Sequence, residues 1–298
     1  MFPRTLVFLL AATCFLDSVE AQQPAPPPTA QSPTLTATFW NVQWFPGRRP
    51  NPSRSEENRQ VRAVHADLAP LNSDLVALEE VRDYDHAVLA VKPFARFKVD
   101  VISNFPPREG QKEAQQVAIT SRLPCLGAWS ELWKPAGVIV PPRGFAFAAY
   151  ELAPRQLLLV YALHLKSNRG EIREDIRIRE ESMQQLVSHM KAMNNAYGKL
   201  GTLAWIVGGD FNTAPAEPRF AAEKTVPLLL ASGFRWCWHG VPFTSRITVP
   251  GDARYPAACF DQIFYRGATL RKAGVIATTA ASSDHRAIQG DFVFEPSR

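Results

Sequence analysis

The sequence lacks several features that would assign it to a familiar class of protein. It has no run of 18 or more apolar residues, which excludes an α-helix that spans a bilayer. Its four cysteines do not have the spacing of a zinc knuckle, and no internal repeat is visible. Charge of neither sign dominates, because 33 basic and 28 acidic residues leave a net charge of +5. What remains is an ordinary globular composition in 298 residues, enough for two average domains or one large α/β domain.

The N-terminus has the pattern of an export signal. Arg4 precedes an apolar run at residues 5–16, and small residues follow it. This order of a basic, an apolar and a small-residue region is typical of a cleaved secretory signal peptide, predicted here at residues 1–21. A lipoprotein signal is the alternative, but Thr13 fits poorly before Cys14. We therefore expect a secreted or periplasmic protein.

A proline-rich segment follows the predicted signal. Residues 22–33 contain almost no large apolar side chain, so they are predicted to form a disordered linker ahead of a folded domain at residues 34–298. Cleavage would remove one net negative charge and leave a mature chain of +6. This charge favours an anionic partner, although mildly basic chains are also common among exported proteins.

The cysteines permit one disulfide in an oxidising compartment. Cys237 and Cys259 would close a loop of 22 residues. In the chain-entropy model such a bond stabilises the folded state by ~3 kcal/mol. Cys125 would remain a free thiol.

The most informative stretch is WIVGGDFNTA at residues 205–214. Its apolar start predicts a buried strand that ends in a Gly-Gly turn and presents Asp210 and Asn212. If the alternation of the strand continues, these two side chains point the same way and Phe211 points the opposite way. A carboxylate and an amide so placed suit a metal-bound phosphate. An Asx turn after a core strand explains the same residues.

Polar side chains recur where other predicted strands end. The strand at residues 74–81 closes on Glu79 and Glu80, and only one of these can face a site, because adjacent strand residues point to opposite faces. Periodicity does not choose between them. The other candidates, at strand ends or in the small-residue loop before the last strand, are Asn41, His164, Asp261, Asp284 and His285.

Two long segments have helical periodicity. Residues 55–68 are predicted to form a helix capped by Ser55, and residues 171–197 a helix that stops at Gly198. A short helix at 226–230 and a surface loop at 244–255 are also expected. Strands are predicted at residues 34–44 (ending near Asn41), 74–81, 97–101, 116–120, 145–152, 157–163, 205–209, 260–265 and 287–294. This order predicts a mixed, sheet-rich α/β domain.

The chain resembles the endonuclease/exonuclease/phosphatase superfamily. The resemblance rests on FWNVQW, LVALEEV, VYALHLKSN, IVGGDFNT, CFDQIF and SSDH, which occur in the family's order and cover nearly all of residues 34–298. It implies an α/β fold: a four-layer sandwich of two packed mixed β-sheets flanked by helices. The site would lie across the sheet edges.

The resemblance also implies a metal site. Glu80, rather than Glu79, would bind a divalent cation, with Asn41 and Asp284 beside it. Mg²⁺ is expected because the ligands are hard oxygens, and Mn²⁺ or Ca²⁺ could substitute. Gln43 stands where several members carry an aspartate, which leaves open whether one or two metals bind.

The implied catalytic residues act around that metal. Asp261 would orient His285 and raise its basicity, and His164 would protonate the leaving group. Arg143 stands where deoxyribonucleases place a phosphate-contacting arginine, although Phe145 replaces the proline that usually follows two residues later. Lys166 is a second candidate for contact with substrate phosphate, and a solvated lysine is the alternative. The full catalytic set implied is His164, Asp210, Asn212, Asp261 and His285.

These expectations converge on a metal-dependent phosphodiesterase. The two histidines and the positive charge favour a secreted nuclease, monomeric, that hydrolyses DNA or RNA by attack of water. The same chemistry permits a phosphoesterase that acts on lipid head groups or on phosphate monoesters. A catalytically silent binding module is the third possibility, which the nearly complete set of polar residues disfavours.

Overall fold

The computed structural model describes residues 32–107, 114–215 and 217–295. The predicted signal peptide and residues 22–31 of the predicted linker lie outside these ranges. Pro33 already belongs to the fold, because its carbonyl accepts a hydrogen bond of 3.0 Å from the backbone N–H of Phe294. Within the three ranges, no helix is both long enough and apolar enough to cross a bilayer.

The described chain contains both strands and helices. In chain order they are β1 (Thr34–Phe45), α1 (Arg54–Leu68), β2 (Leu75–Val81), α2 (Tyr84–Ala90), β3 (Lys98–Ile102), β4 (Gln116–Ser121), β5 (Cys125–Leu132), β6 (Gly144–Ala153), β7 (Gln156–His164), α3 (Ile172–Tyr197), β8 (Thr202–Asp210), α4 (Thr225–Ala231), β9 (Arg235–Trp236), β10 (Asp261–Arg266), β11 (Thr269–Ile276) and β12 (Ala287–Val293).

The strands form two mixed sheets of six strands each. The first has the order β11-β12-β1-β2-β4-β3, and the second has the order β5-β6-β7-β8-β10-β9. Each contains one parallel pair, β1–β2 or β7–β8, and its other neighbours are antiparallel. A helix links the strands of each parallel pair, as parallel strands require. The carboxyl ends of each pair therefore lie at the same edge of their sheet.

The two sheets pack face to face, and the helices cover their outer faces. Side chains of both sheets, including Phe39 of β1 and Ile206 of β8, share one buried core. Helices α1 and α2 pack on the outer face of the first sheet, and α3 and α4 on that of the second. Gly208 allows close approach at the centre, because a Cβ there would lie 2.6 Å from the Phe39 ring. The predicted four-layer α/β sandwich is confirmed.

Helix α1 begins with a capping box that differs from the predicted cap. Ser53, not Ser55, is the N-cap: its Oγ accepts a bond of 3.3 Å from the Glu56 N–H. The Glu56 carboxylate in turn accepts one of 2.8 Å from the Ser53 N–H. The prediction of Ser55 was wrong because the S-x-x-E spacing starts at residue 53.

The predicted disulfide is absent. Cys237 and Cys259 are both buried and unbridged, and Cys125 is a free thiol as expected. The first two pack as small apolar side chains in the core between the sheets. Burial raises the pKa of the Cys259 thiol to about 12 and that of Cys237 well above its usual value, so both are protonated at neutral pH.

Four elements were not predicted. Strands β5, β9 and β11 lie at sheet edges, where one side of the ladder is unpaired and side chains are half-exposed. Such strands lack the apolar alternation that marks a strand in sequence. Helix α2 has only seven residues, and its clearest signal is the Asp83 side chain, which caps the His86 N–H at 3.0 Å.

Candidate active site

The polar residues predicted at strand ends meet at one edge of the sandwich. In the second sheet, Asp210 is paired in register with His164 of β7 and with Asp261 of β10. In the first sheet, Asn41 of β1 is paired with Glu79 of β2. The two sheets join here, because the Asn41 amide nitrogen lies 3.1 Å from Oδ2 of Asp210.

A β-bulge directs Glu80 to the site. The pairing of β2 shifts register between Glu79 and Val81 against both of its neighbours, and Glu80 has φ of +63°. Bulges re-aim side chains in this way. The Glu80 carboxylate accepts bonds of 3.2 Å from the Asn41 amide and 3.1 Å from the Trp44 N–H. It therefore joins the polar cluster, as the resemblance implied.

Glu79 points instead into the space between the sheets. It is fully buried, and neither carboxyl oxygen has a hydrogen-bond partner among the described residues. Gly209, at φ of +126°, makes room, because a Cβ there would lie 2.8 Å from Oε1 of Glu79. Burial, followed by the charges of Asp261 and Asp210, raises the pKa of Glu79 well above its usual value. Burial thus favours the neutral, protonated form of Glu79 beneath the site.

Asn41 binds two carboxylates of the site through its amide nitrogen, and its amide oxygen binds the backbone. Its Oδ1 accepts a bond of 3.0 Å from the Gln43 N–H, and its amide nitrogen donates to both Glu80 and Asp210. The Asn41 oxygen thus faces the backbone here, and the role of Asn41 as a metal ligand stays a prediction. Asn41 acts as a clamp between two carboxylates.

Asp210 and Asn212 are brought together by a turn. Strand β8 ends at Asp210, and Asn212 has φ of +52°, so the predicted strand alternation does not extend to it. Its N–H donates to Oδ1 of Asp210 at 2.9 Å, which is the Asx turn considered above. Phe211 is buried. The turn and the site use the same two residues.

His285 is held by a carboxylate on one side and faces another. Its Nδ1 lies 2.9 Å from Oδ2 of Asp261, and its Nε2 lies 3.8 Å from Oδ2 of Asp210. Burial alone would lower the pKa of His285, but Asp261 first and Asp210 second raise it well above its usual value. The two carboxylates therefore favour the protonated form of the imidazole.

The loop before β12 is fastened to β1. The Ser283 hydroxyl donates to the Asn41 carbonyl at 2.7 Å and accepts a bond of 3.0 Å from the His285 N–H. The Trp40 indole donates to the His285 carbonyl at 3.0 Å. These contacts fix His285 and place Asp284, which is exposed, beside the end of β1.

His164, the last residue of β7, is the histidine that the second sheet places in the site. It is buried, with Nε2 at 3.5 Å from Oδ2 of Asp210 and 3.7 Å from Oε1 of Glu80. The position of His164 next to Asp210 follows from the parallel pairing of β7 with β8. The predicted residues His164, Asp210 and Glu80 are thus mutual neighbours.

Arg143 braces the end of β7. Its Nε donates to the His164 carbonyl at 2.8 Å, and Nη2 donates to the Leu165 carbonyl at 2.6 Å. The side chain is buried, and Nη1 lies 3.3 Å from Oε1 of Gln115. Arg143 therefore braces the backbone at His164 and Leu165, and its contact with substrate phosphate stays a prediction.

Lys166 is committed to an ion pair. Its Nζ lies 2.5 Å from Oδ1 of Asp175 and donates to the Ser167 carbonyl at 2.9 Å. Asp175 is buried on the first turn of α3, and its other oxygen accepts a bond from the Gly170 N–H. The charge of Lys166 is therefore paired with Asp175, and its contact with substrate phosphate stays a prediction.

A buried arginine of α3 supports the same loop and was not predicted. Arg179 makes two bonds of 2.8 and 2.7 Å to the Glu223 carboxylate, and its Nη1 donates to the Lys166 carbonyl and to Oδ1 of Asn168. The Asn168 amide in turn donates to the Asn212 carbonyl at 2.8 Å. A continuous set of hydrogen bonds therefore runs from α3 to the turn at the site.

Helical spacing indicates that such residues are buried, although it does not identify their partners. Asp175, Arg179, Ser182 and Leu186 are all buried and are spaced by four, three and four residues. In α1, Gln60 precedes the buried Val64 by one turn, and it too is buried. A polar residue in register with a buried face is expected to make specific hydrogen bonds there.

The oxygen donors of the site fit a hard divalent cation. The Glu80 carboxylate shares the Asn41 amide with Asp210, and Asp284 offers an exposed carboxylate in the loop bound to Gln43. Burial raises the pKa of Asp210 to about 7, with Asp261 adding to the shift and His285 opposing it. A cation would relieve this crowding of carboxylates. Ligand atoms of Asp210, Asp261 and His285 also lie within 4.8 Å of one another, but His285 already uses Nδ1 on Asp261.

Comparison with known proteins agrees with this geometry. The model of the Endonuclease/Exonuclease/phosphatase family matches residues 187–285, from the middle of α3 to His285. No curated protein sequence shows significant similarity to the chain.

Solved structures extend the likeness to most of the fold. An endonuclease/exonuclease/phosphatase from Beutenbergia cavernae is 15% identical with a TM-score of 0.66, covering 89% of this chain and 72% of that one. A humanized D. rerio TDP2 is 19% identical with a TM-score of 0.62, covering 87% and 98%. D. rerio TDP2 complexed with a single-strand DNA product is 17% identical, with the same TM-score and coverage.

These comparisons identify the fold as that of the endonuclease/exonuclease/phosphatase superfamily. The resemblance read from the six sequence motifs is thereby confirmed.

Proposed function

We propose that the chain is a metal-dependent phosphodiesterase that hydrolyses nucleic acid by attack of water. One observation carries the proposal: two histidines face the same buried carboxylate, Asp210, and one of them is backed by Asp261. A base, an acid and a fixed positive charge are thus available within one small volume, which in-line displacement at phosphorus requires.

Asp210 is suited to accept the proton of the attacking water. A general base works best when its pKa lies near the working pH, and the pKa of Asp210 is raised to about 7. The Asn212 N–H fixes one oxygen of this carboxylate, and the Asn41 amide fixes the other. The bound substrate would then set the direction from which the water attacks.

The two imidazoles supply the other proton and the positive charge. His285, held protonated by Asp261, would donate a hydrogen bond to a non-bridging phosphoryl oxygen. His164 would deliver a proton to the departing oxygen. Glu80 and Asp284 would hold the divalent cation, which when bound would neutralise charge on the phosphoryl oxygens. Each positioned acid or base contributes ~10²–10⁴ in rate.

Nucleic acid is the substrate that the charge and the fold favour. The chain carries a net +5, and a polyanion is attracted to such a surface. TDP2, one of the proteins with this fold, has been solved with a single-strand DNA product. We propose the same substrate class for this chain, cut by the monomer.

The test is cleavage by the protein purified without its first 21 residues. Plasmid DNA, single-stranded DNA and RNA are incubated with Mg²⁺, Mn²⁺ or Ca²⁺, with EDTA as the control. Cleavage is expected with at least one metal, none with EDTA, and at least ~10²-fold less by Asp210→Asn. An active wild type that Asp210→Asn matches in rate would contradict the assignment of the site, and cleavage of no nucleic acid would contradict the substrate.

A lipid head-group diester is the second candidate, and one feature favours it. Val138 and Val140, in the loop between β5 and β6, are 84% and 65% exposed. The loop returns at Arg143, whose carbonyl bonds the Trp133 N–H at 3.1 Å, so its base adjoins the site. Release of phosphocholine from sphingomyelin vesicles, with DNA left intact, would favour this function.

Export is proposed from residues 1–21 alone. If the signal is cleaved after Ala21, protein recovered outside the cytoplasm begins at Gln22 on N-terminal sequencing. Retention of Met1 in a cytoplasmic fraction would contradict the proposal.

A further inference from the structure

Arg48 lies next to the part of the site that carries Asp284, one of the predicted metal ligands. It was not among the site residues predicted from the sequence. Its Nε donates to Oε1 of Gln43 at 2.7 Å, and the same oxygen accepts a bond of 3.1 Å from the Asp284 N–H. Gln43 therefore ties the guanidinium of Arg48 to the loop that carries Asp284 and His285.

The backbone that presents Arg48 is rigidly held by Gln60. This side chain of α1 is only 1% exposed, and its Oε1 accepts bonds from the N–H groups of Gly47 and Arg48. Its amide nitrogen donates to the carbonyls of Val42, Gln43 and Ser282. One buried amide thus fastens the segment after β1 to the loop before β12.

The conformation of this segment is one that must be held. Gln43, Trp44 and Arg48 have φ of +46°, +49° and +67°, the left-handed region that costs non-glycine residues about 1–3 kcal/mol each. Such strain persists only where the surroundings fix it, and it is common at ligand-binding segments. Here the strained backbone holds the guanidinium group of Arg48 in a defined position.

Arg48 differs from its neighbour in having no acidic partner. Arg49 pairs with Glu56 at 2.9 Å, whereas within the described ranges Arg48 forms no ion pair. Gln43 holds Nε without neutralising the guanidinium, which an aspartate or glutamate at this position would do. The two terminal nitrogens are left to bind a ligand, and a fixed guanidinium is well matched to two oxygens of a phosphate.

We propose that Arg48 forms a subsite for the phosphate next to the scissile one in a polynucleotide. The inference rests on the proposed function and specifies its substrate: a chain of phosphates and not a single diester. Arg48 joins the cluster through the exposed Asp284, whereas the scissile phosphate belongs beside the buried Asp210 and the two histidines. A substrate with only one phosphate would not reach Arg48.

The test compares Arg48→Met with Arg49→Met, a matched control from the same segment. Each variant is assayed on bis(p-nitrophenyl) phosphate, which has one phosphate, and on a 12-nucleotide oligonucleotide. For Arg48→Met, kcat/KM on the oligonucleotide is expected to fall at least ~10-fold, as for loss of a charged hydrogen bond. It should stay within about 2-fold on the single diester. Arg49→Met should stay within that limit on both.

A binding measurement separates this inference from the proposed function. Anisotropy of the fluorescent oligonucleotide is recorded in EDTA, where turnover is not expected. Arg48→Met should bind ~10-fold more weakly, with a salt slope smaller by about one. Gln43→Glu should also weaken binding, because its carboxylate would pair with Arg48 while the arginine remains.

The outcomes are distinct. If wild type cleaves neither substrate but Arg48→Met still loses binding relative to Arg49→Met, the catalytic proposal fails and the subsite stands. If wild type is active and the two arginine variants behave alike in cleavage and binding, the subsite is overturned. Failure of wild type to bind the oligonucleotide overturns it as well.

Discussion

His164 and His285 face the same atom. Their Nε2 atoms lie 3.5 and 3.8 Å from Oδ2 of Asp210, one from each sheet's side of the site. The two imidazoles are nevertheless unequal, because His285 has Asp261 behind its Nδ1 whereas His164 has Glu80 in front of it at 3.7 Å. This inequality is the basis for assigning them different tasks, and it can be tested.

If His164 protonates the leaving group, its removal should matter only when the leaving group is poor. His164→Ala is expected to lose ~10²–10⁴ in kcat on DNA but ~10-fold or less on bis(p-nitrophenyl) phosphate, whose nitrophenolate leaves without a proton. Asp210→Asn, as the control, should lose activity on both substrates. Equal losses by His164→Ala on the two substrates would show that His164 has another role.

If His285 acts as an imidazolium, activity is lost as pH rises through its pKa. Asp261 and Asp210 raise that pKa against the opposing effect of burial. Removing the charge in Asp261→Asn should lower the pKa, so the alkaline limb of the kcat profile should move to lower pH by about one unit or more. A lower rate with an unmoved alkaline limb would mean that Asp261 orients the ring without setting its charge.

Most of the site was accessible from sequence because its residues stand where strands end. Asp210, His164 and Asp261 are adjacent in the second sheet, and strand patterning places each at the terminus of an apolar run. The choice between Glu79 and Glu80 was not accessible from periodicity. A β-bulge decides it, and a bulge depends on pairing with β1 and β4, which lie far apart in sequence.

The supporting residues were missed for a related reason. Gln60 and Arg179 sit on helices, far along the chain from the loops that they fasten, and a single sequence does not show such pairing. Arg143 was expected to contact phosphate from its position in the family resemblance, and Lys166 from its charge beside the His164 motif. Their carbonyl and carboxylate partners are visible only in the fold.

The buried carboxyl group of Glu79 should make the stability of the fold decrease as the pH rises. Its pKa is raised in the folded state, so the folded protein keeps a proton that the unfolded chain loses above its ordinary pKa. The free energy of unfolding should therefore fall as pH rises above the ordinary carboxyl range, by up to ~1.4 kcal/mol per pH unit from this group. Glu79→Gln should flatten that slope.

Urea denaturation between pH 5 and 8 in EDTA would measure this slope, roughly the range in which the two states differ in proton binding. Glu174→Gln is the matched control, since Glu174 lies on the exposed side of α3. If Glu79→Gln and Glu174→Gln leave the same slope as wild type, the folded state holds Glu79 ionised.

Kinetic measurements can decide whether Arg143 positions His164 or binds the substrate. Its guanidinium bonds to the carbonyls of His164 and Leu165, so Arg143→Met should let the end of β7 shift and misplace the His164 imidazole. Small displacements of a catalytic group are costly, so kcat on DNA should fall ~10-fold or more while KM changes by less than about 2-fold. Because the loss acts through His164, it should shrink on bis(p-nitrophenyl) phosphate, as for His164→Ala. Arg143→Lys keeps the charge but not the two bonds, so it should resemble Arg143→Met. A raised KM with unchanged kcat, restored by Arg143→Lys, would instead make Arg143 the phosphate contact that the sequence predicted.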